Sequence, residues 1–164
     1  MKRAAELAEF DEGSHTLSLV DDAFFILLKS FSRAVTTAHA TLVVVPLLNA
    51  VIDSLRHTCI PLLHKRLRLS GAAEPTNPAY LIAANSLRLA DEYTCKMGQH
   101  VSRTFANAFA SLSGMADPAL EELETLASSC REVADGAMRR LAAELLPTAW
   151  LQIDFEPLSF ELDS

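Results

Sequence analysis

The sequence predicts an all-α protein, an elongated antiparallel helical bundle with an extended C-terminal tail. Two observations predict this fold: apolar residues recur at helical spacing along several long segments, and half of the 164 residues are hydrophobic, with the helix formers Ala and Leu dominant. Five Gly and seven Pro are too few for a loop-rich β fold. We expect an N-terminal extension over residues 1–17, the bundle over 18–147 and an acidic-hydrophobic tail over 148–164.

The first helix is predicted from Leu19 to Thr36, with Ser18 as its N-cap. Asp21 and Asp22 fall in its first turn, where carboxylates oppose the positive end of the helix dipole. Because these two residues are adjacent, their side chains point in different directions and do not form a catalytic pair. The residues of the predicted apolar face are Val20, Phe24, Leu27, Leu28, Phe31 and Val35.

A second helix is predicted from about Ala40 to Leu69, and it contains two prolines. Pro46 and Pro61 each remove a hydrogen bond and clash with the preceding turn, so the segment is either one kinked helix or two helices. Apolar spacing that continues across Pro61 favours the kink. The residues that keep this spacing are Leu48, Val51, Ile52, Leu55, Cys59, Leu62 and Leu63. Residues 70–78, with one Gly and two Pro, are predicted to form a loop.

A third helix is predicted from Ala79 to Leu112, with Gly114 as its C-cap. Its apolar stripe consists of Ile82, Leu89, Tyr93, Met97, Val101, Phe105 and Phe109. The part of the stripe that contains Met97, Phe105 and Phe109 could line a ligand cavity. Such stripes normally face the interior of a bundle, and we therefore interpret these residues as core.

The fourth predicted helix has the clearest beginning, with Asp117 as N-cap and Pro118 at the first helical position. Its apolar seam consists of Leu120, Leu123, Ala127, Cys130, Ala134, Ala137 and Leu141. The small residues in the middle of this seam indicate that a neighbouring helix approaches closely there. Pro147 is predicted to end the helix.

The tail alternates apolar and polar residues, which is typical of an extended chain with one buried edge. The alternation begins at Trp150 and resumes out of step after Pro157. Four of its residues are the candidate contacts for a protein partner: Trp150, Phe155, Phe160 and Leu162.

Composition and motifs exclude several classes of function. A net charge of −7 argues against a nucleic-acid-binding protein, because phosphate contacts need clustered cations. The one basic run, residues 64–68, is interpreted as a solvated helix end, and the alternative is contact with an anionic lipid or an acidic partner. His57 and His64 lie seven residues apart, but Cys59 does not join them at metal-ligand spacing. With no catalytic signature present, we expect no metal, no cofactor and no enzymatic activity.

The cysteine pattern and the apolar runs predict a soluble cytosolic protein. Cys59, Cys95 and Cys130 are far apart and lie in apolar helical patterns, which suits a reducing compartment. Residues 1–10 lack the apolar region of a signal peptide. The longest apolar run, Leu42–Leu48, is much shorter than the roughly 20 residues of a membrane span.

Three segments of the chain, in order, resemble segments of one known family. Residues 18–27, SLVDDAFFIL, resemble the family segment MVDDVFYI. Residues 80–86, YLIAANS, resemble FLVTLNN, although the family's Asn pair is reduced to Asn85 and the Glu that follows it is absent. In residues 120–147, Gly136, Leu141 and Pro147 fall at matching positions of a family helix. The chain thus resembles subunit 4 of the conserved oligomeric Golgi complex, over a part of its C-terminal half.

This resemblance implies a helical rod of the tethering-complex type and a role in retrograde vesicle transport within the Golgi. It further implies peripheral association with the Golgi membrane and contacts with other subunits, SNAREs and small GTPases. The alternative is a free-standing helical adaptor or a bundle that binds a small ligand. Capture of Golgi tether subunits favours the first hypothesis, and a bound lipid or single small partner favours the second.

The tail itself gives a first testable prediction. Residues 150–162 are expected to be ordered, extended and packed along the outside of the bundle, because seven apolar side chains would otherwise form an exposed patch. Phe155→Ala should therefore lower stability in denaturant titration, by at most about 1.5–3 kcal/mol for one buried side chain. Rapid proteolysis after Trp150 or Phe155, without loss of stability in Phe155→Ala, would contradict this prediction.

Overall fold

The computed structural model of the chain describes residues 16–38, 41–71 and 76–151. They form five α-helices: α1 (Ser18–Ala38), α2 (Thr41–Ser54), α3 (Ile60–Ser70), α4 (Pro78–Ala108) and α5 (Asp117–Leu151). A π-helical turn, Leu55–Cys59, joins α2 to α3, and a 3₁₀ segment, Ala110–Ala116, precedes α5. No residue within the described ranges lies in a β-strand, which confirms the predicted all-α class.

Helix α1 runs parallel to α4. The backbone N–H of Leu17 donates to Ser86 Oγ at 2.9 Å, near the beginning of both helices. The Phe31 and His100 rings meet edge to face with centroids 6.0 Å apart, about four turns further along each helix. Contacts that advance in the same direction on both helices define a parallel pair.

Helices α3 and α5 both run antiparallel to α4. At the turn between α3 and α4, Tyr80 is buried against Gly71, where an added Cβ would lie 2.6 Å from Tyr80 Cε2. Between α4 and α5, Arg88 pairs with Asp135 at 3.0 Å, and the next pair along α4 joins residue 91 to residue 131. Successive segments of the chain therefore alternate in direction, as predicted. As a result, α1 and α4 run parallel to each other.

The second predicted helix continues through Pro61, and the predicted kink takes the form of a widened turn. In this turn the N–H of Ile60 donates to the carbonyl of Leu55, five residues earlier. Pro61 has no N–H, and its ring would clash with the carbonyl of His57 in a regular helix. A π turn displaces the preceding carbonyls, so it accommodates the ring without ending the helix. Pro46, within α2, is exposed.

The continuous stretch Val43–Ser70 is long and apolar enough to cross a membrane, by length and composition alone. Its mean hydropathy reaches 1.3 over the most apolar window, of which 33% is buried in the protein. Core helices of globular proteins pass the same test. Here Val44, Leu48, Val51 and Leu55 are buried members of the bundle core.

The middle of the α5 seam is buried as predicted, whereas Leu120 and Leu141 at its ends are half-buried. Leu123, Ala127, Cys130, Ala134 and Ala137 are each exposed by 5% or less. Helix α4 is likewise buried at small residues, Ala83, Ala84 and Ala90. Small side chains on both helices permit close approach of the two backbones, and α4 with α5 forms the most extensive helix pair of the bundle.

Three details of the first, third and fourth predicted helices are corrected. Leu28 is 37% exposed, because it is turned by about 100° from Leu27 around the helix and lies at the edge of the apolar face. Helix α4 ends at Ala108, and Gly114 lies inside the 3₁₀ segment instead of capping α4. That segment leads directly into α5, so Asp117 has helical backbone angles and is the first helical residue, not an N-cap.

Pro147 does not end the last helix, contrary to the prediction. Helix α5 continues to Leu151, so Trp150 and Leu151 are helical and not part of an extended tail. Residue Ala143, whose carbonyl loses its helical partner at Pro147, is exposed, and water can bind that carbonyl. The rest of the predicted tail, residues 152–164, lies outside the described residues.

The buried alanines of α5 give a second prediction. Ala134→Leu and Ala137→Leu should each lower the free energy of unfolding by about 1–3 kcal/mol, because the added carbons overpack the α4–α5 seam. Ala142→Leu is the matched control, since Ala142 is exposed on the same helix. Denaturant titration measures all three, and equal stability of Ala134→Leu and the control would contradict a tight seam.

Candidate functional site

The histidines do not assemble a metal site in the described part of the chain. His57 is exposed. Burial lowers the pKa of His64, and the nearby positive charge of Arg68 lowers it further. Within residues 16–38, 41–71 and 76–151, no cluster of three or more His, Cys, Asp or Glu side chains could hold a metal ion.

All three cysteines are held as thiols. Burial raises the pKa of Cys130 to about 12, with the negative charge of Asp91 as a second cause. Burial also raises the pKa of Cys59 and is the first cause of the raised pKa of Cys95. Since the thiolate is the nucleophile and the metal ligand, a raised pKa disfavours the reactive form of each cysteine.

A buried carboxylate lies at the interface of α4 and α5. Asp91 is only 7% exposed, and it accepts two hydrogen bonds from Arg131, from Nε at 2.9 Å and from Nη2 at 2.8 Å. Cys95 Sγ is a weaker donor to Asp91 Oδ1 at 3.6 Å. The guanidinium satisfies both carboxylate oxygens, so this pair joins two helices and offers no free base to a substrate.

Sequence reasoning did not identify Asp91. The signal was present, because residue 91 falls between Leu87 and Thr94 at helical spacing, and both of these are fully buried. A carboxylate on the buried side of a helix requires a partner, and the partner is supplied by another helix, 40 residues away in sequence.

Polar side chains also join α1 to α4. Asp21 accepts a short hydrogen bond from the Tyr93 hydroxyl, and this bond is the first cause of the raised pKa of Tyr93. Asp22, like Asp21, is exposed. Ser32 Oγ and His100 Nε2 lie 3.2 Å apart further along the same pair of helices.

The outer surface of α1 carries exposed apolar side chains. We define the α1 face as Asp22, Phe25, Ile26 and Lys29, which follow helical spacing on the side away from the core. Phe25 is 62% exposed and Ile26 is 61% exposed. The ammonium group of Lys29 lies 5.4 Å from the centroid of the Phe25 ring. Both exposed apolar residues belong to the segment SLVDDAFFIL, whose Val20 and Phe24 are buried.

The chain is similar to conserved oligomeric Golgi complex subunit 4 of Arabidopsis thaliana, with 25% identity over 174 aligned positions. The alignment covers 99% of this chain and 24% of that protein, so the chain spans about a quarter of the length of its relative. No protein-family model matches the sequence. No solved structure matches it either. This similarity supports a distant relationship to the subunit.

A second set of exposed apolar side chains lies near the C-terminal end of α5. Met138, Leu145 and Leu146 are 38%, 47% and 54% exposed, and the neighbouring Arg139 and Arg140 are exposed as well. Of the partner contacts predicted from the sequence, Trp150 lies in the last turn of α5. Phe155, Phe160 and Leu162 lie outside the described residues.

The aromatic stripe of α4 is core, as we interpreted it. Met97, Phe105 and Phe109 are all buried, and the Phe105 and Phe109 rings pack with centroids 5.4 Å apart. A shallow groove does lie between α4 and α5, but it is lined by other residues of α4, including Cys95 and Gln99.

The Asp91–Arg131 pair gives a third prediction. Arg131→Met should lower the melting temperature, because it leaves a buried carboxylate without its partner. The double variant Asp91→Leu/Arg131→Met should recover stability toward that of the wild type, since neither polar group remains. Arg88→Met is the control, because both side chains of the Arg88–Asp135 pair are exposed and screened by water. Equal melting temperatures for Arg131→Met and Arg88→Met would contradict the prediction.

Proposed function

We propose that this chain is a non-enzymatic subunit, or a fragment of one, of the conserved oligomeric Golgi complex, and that it acts in vesicle tethering during retrograde transport within the Golgi. The similarity to subunit 4 over nearly the whole chain supports the assignment, and an all-α bundle suits a helical tether. The observation that carries the proposal is the α1 face, because two large apolar side chains remain exposed within the segment that resembles the family.

The α1 face has the chemistry of a protein–protein contact. Phe25 and Ile26 are adjacent on a rigid helix, and burial of each against a partner would contribute about 1.5–3 kcal/mol. Asp22 and Lys29 flank them one turn away on either side, with opposite charges. Such a pair at the rim of an apolar contact orients the partner helix, while the apolar centre supplies most of the affinity.

The state of the titratable groups favours binding over catalysis. Burial raises the pKa of all three cysteine thiols, and the buried carboxylate of Asp91 is paired with Arg131. General-base or nucleophilic catalysis needs a group that is free to react, and these groups are occupied or inert.

In this proposal the partners are other subunits of the tethering complex, which hold the chain peripherally at the cytoplasmic side of the Golgi membrane. Neither SNAREs nor small GTPases are included, because no contact of the described residues points to them. Nucleic acid is not a partner, since the net charge of −7 opposes binding to phosphates.

A capture experiment with defined subunits tests the α1 face. The purified chain should bind at least one recombinant subunit of the conserved oligomeric Golgi complex, and Phe25→Ser/Ile26→Ser should reduce that binding at least tenfold. The physical reason is the loss of two anchor side chains at the centre of the contact. Circular dichroism and melting temperature should remain unchanged, because both residues are exposed.

The matched control is Val43→Ser/Met115→Ser, which removes two other exposed apolar side chains, of 51% and 50% exposure. This variant should bind as the wild type does. If both double variants bind equally, the α1 face is not the contact. If no subunit of the complex is captured by the wild type, the tethering proposal fails and a free-standing adaptor replaces it.

A further inference from the structure

One segment of this acidic protein contains only positive charges. Residues 54–71 hold Arg56, Lys65, Arg66 and Arg68 and contain no Asp or Glu, although the whole chain has a net charge of −7. The segment covers the π turn and helix α3. Charge is therefore distributed unevenly along the chain, and this segment is basic within an acidic protein.

The packing of α3 turns these cations outward. Ile60, Leu63 and Leu67 are buried and hold α3 against the bundle. The opposite side of the helix carries Lys65 and Arg68, both exposed, at the spacing of one helical turn. Leu69 lies beside them and is 65% exposed, which makes it the most exposed large apolar residue within the described ranges. We call these three residues the α3 face.

No described carboxylate neutralises the α3 face. Arg56 pairs with Glu122, but none of the ion pairs among the described residues involves Lys65, Arg66 or Arg68. The effect of Arg68 on its own neighbours is visible at His64, whose pKa it lowers in addition to the effect of burial. These positive charges are therefore available to an anionic partner outside the helix.

We propose that the α3 face binds an anionic membrane surface, with Lys65 and Arg68 at the lipid phosphates and Leu69 inserted among the headgroups. A convex helix surface with cations around one exposed apolar residue suits a planar, diffuse array of anions. The outward side of α3 is one convex helix, a shape that offers a single acidic peptide little contact area.

The acidic residues elsewhere in the chain favour one orientation of the protein at the membrane, and they do not prevent the α3 face from binding lipid. Exposed charges interact over roughly 10 Å at 0.1 M salt, so carboxylates on distant helices are screened from a membrane that touches α3. A membrane that approached any acidic surface of the protein would be repelled at short range. The molecule therefore meets an anionic leaflet with the α3 face first.

This inference does not rest on the proposed tethering function or on the α1 face. It rests on the charges and exposure of α3 alone. Direct lipid binding adds a second mode of membrane contact to association through partner subunits, and the two can be tested separately.

Vesicle co-sedimentation tests the α3 face. The purified chain should bind phosphatidylcholine vesicles that contain phosphatidylserine, should not bind pure phosphatidylcholine vesicles, and should be released as salt increases. Lys65→Gln/Arg68→Gln should lower the partition coefficient roughly tenfold or more. Leu69→Ser should lower it by a smaller factor, because it removes one inserted side chain.

Arg139→Gln/Arg140→Gln is the matched control, since it removes two exposed cations of α5 and gives the same net charge. It should bind vesicles as the wild type does, and all variants should keep the helical signal and melting temperature of the wild type. Equal losses in the two double variants would overturn the proposal, because net charge alone would then explain binding. Failure of the wild type to bind phosphatidylserine vesicles would also overturn it, and binding to polyglutamate in that case would assign the face to an acidic protein.

Discussion

Helix α4 is the element against which the other helices are arranged, because α1, α3 and α5 all pack on it. Each contact occupies a different part of its surface. Tyr80 contacts Gly71 at the end of α3. Ser86 accepts a hydrogen bond from Leu17 at the beginning of α1, and Asp91 pairs with Arg131 of α5. Because three helices pack on α4, it is buried on the sides that face them, including at the polar residues Ser86 and Thr94.

Polar contacts set the register where apolar contacts cannot. The seam of α5 is built largely of alanines, which are uniform in shape and would permit one helix to slide past the other by a turn. The bidentate contact between Asp91 and Arg131 exists at only one register, and sliding would leave a buried carboxylate unpaired. The bond from the Leu17 N–H to Ser86 has the same effect for α1.

The surfaces that remain exposed follow from this arrangement. Helix α1 packs on α2 and α4, and α3 packs on α4, so each of them keeps an outward side. On α1 that side presents an apolar pair, Phe25 and Ile26, and on α3 it presents Lys65, Arg68 and Leu69. One surface has the chemistry of a protein contact and the other that of a lipid contact. Under the two proposals made above, the chain would contact a partner subunit through α1 and an anionic membrane through α3.

Much of the fold was determined by the sequence alone. The 3.6-residue spacing of apolar side chains identified the helices, since it records which side of each helix avoids water. The buried seam from Leu123 to Ala137 and the buried stripe from Met97 to Phe109 agree with that spacing. Pro61 marked the position of the distorted turn, because a residue without an N–H must disturb a helix locally.

Only the tertiary structure decided which neighbour covers each apolar side. Spacing could not distinguish Phe24, which is buried, from Phe25, which is exposed, because adjacent residues both satisfy a broad apolar face. It could not pair Asp91 with Arg131, since the partner lies on another helix. Pro147 was predicted to end α5, but the helix continues there because Ala143 is exposed and its free carbonyl can be hydrated. Sequence periodicity describes the environment of a residue within its own helix, whereas burial and pairing depend on the distances between helices.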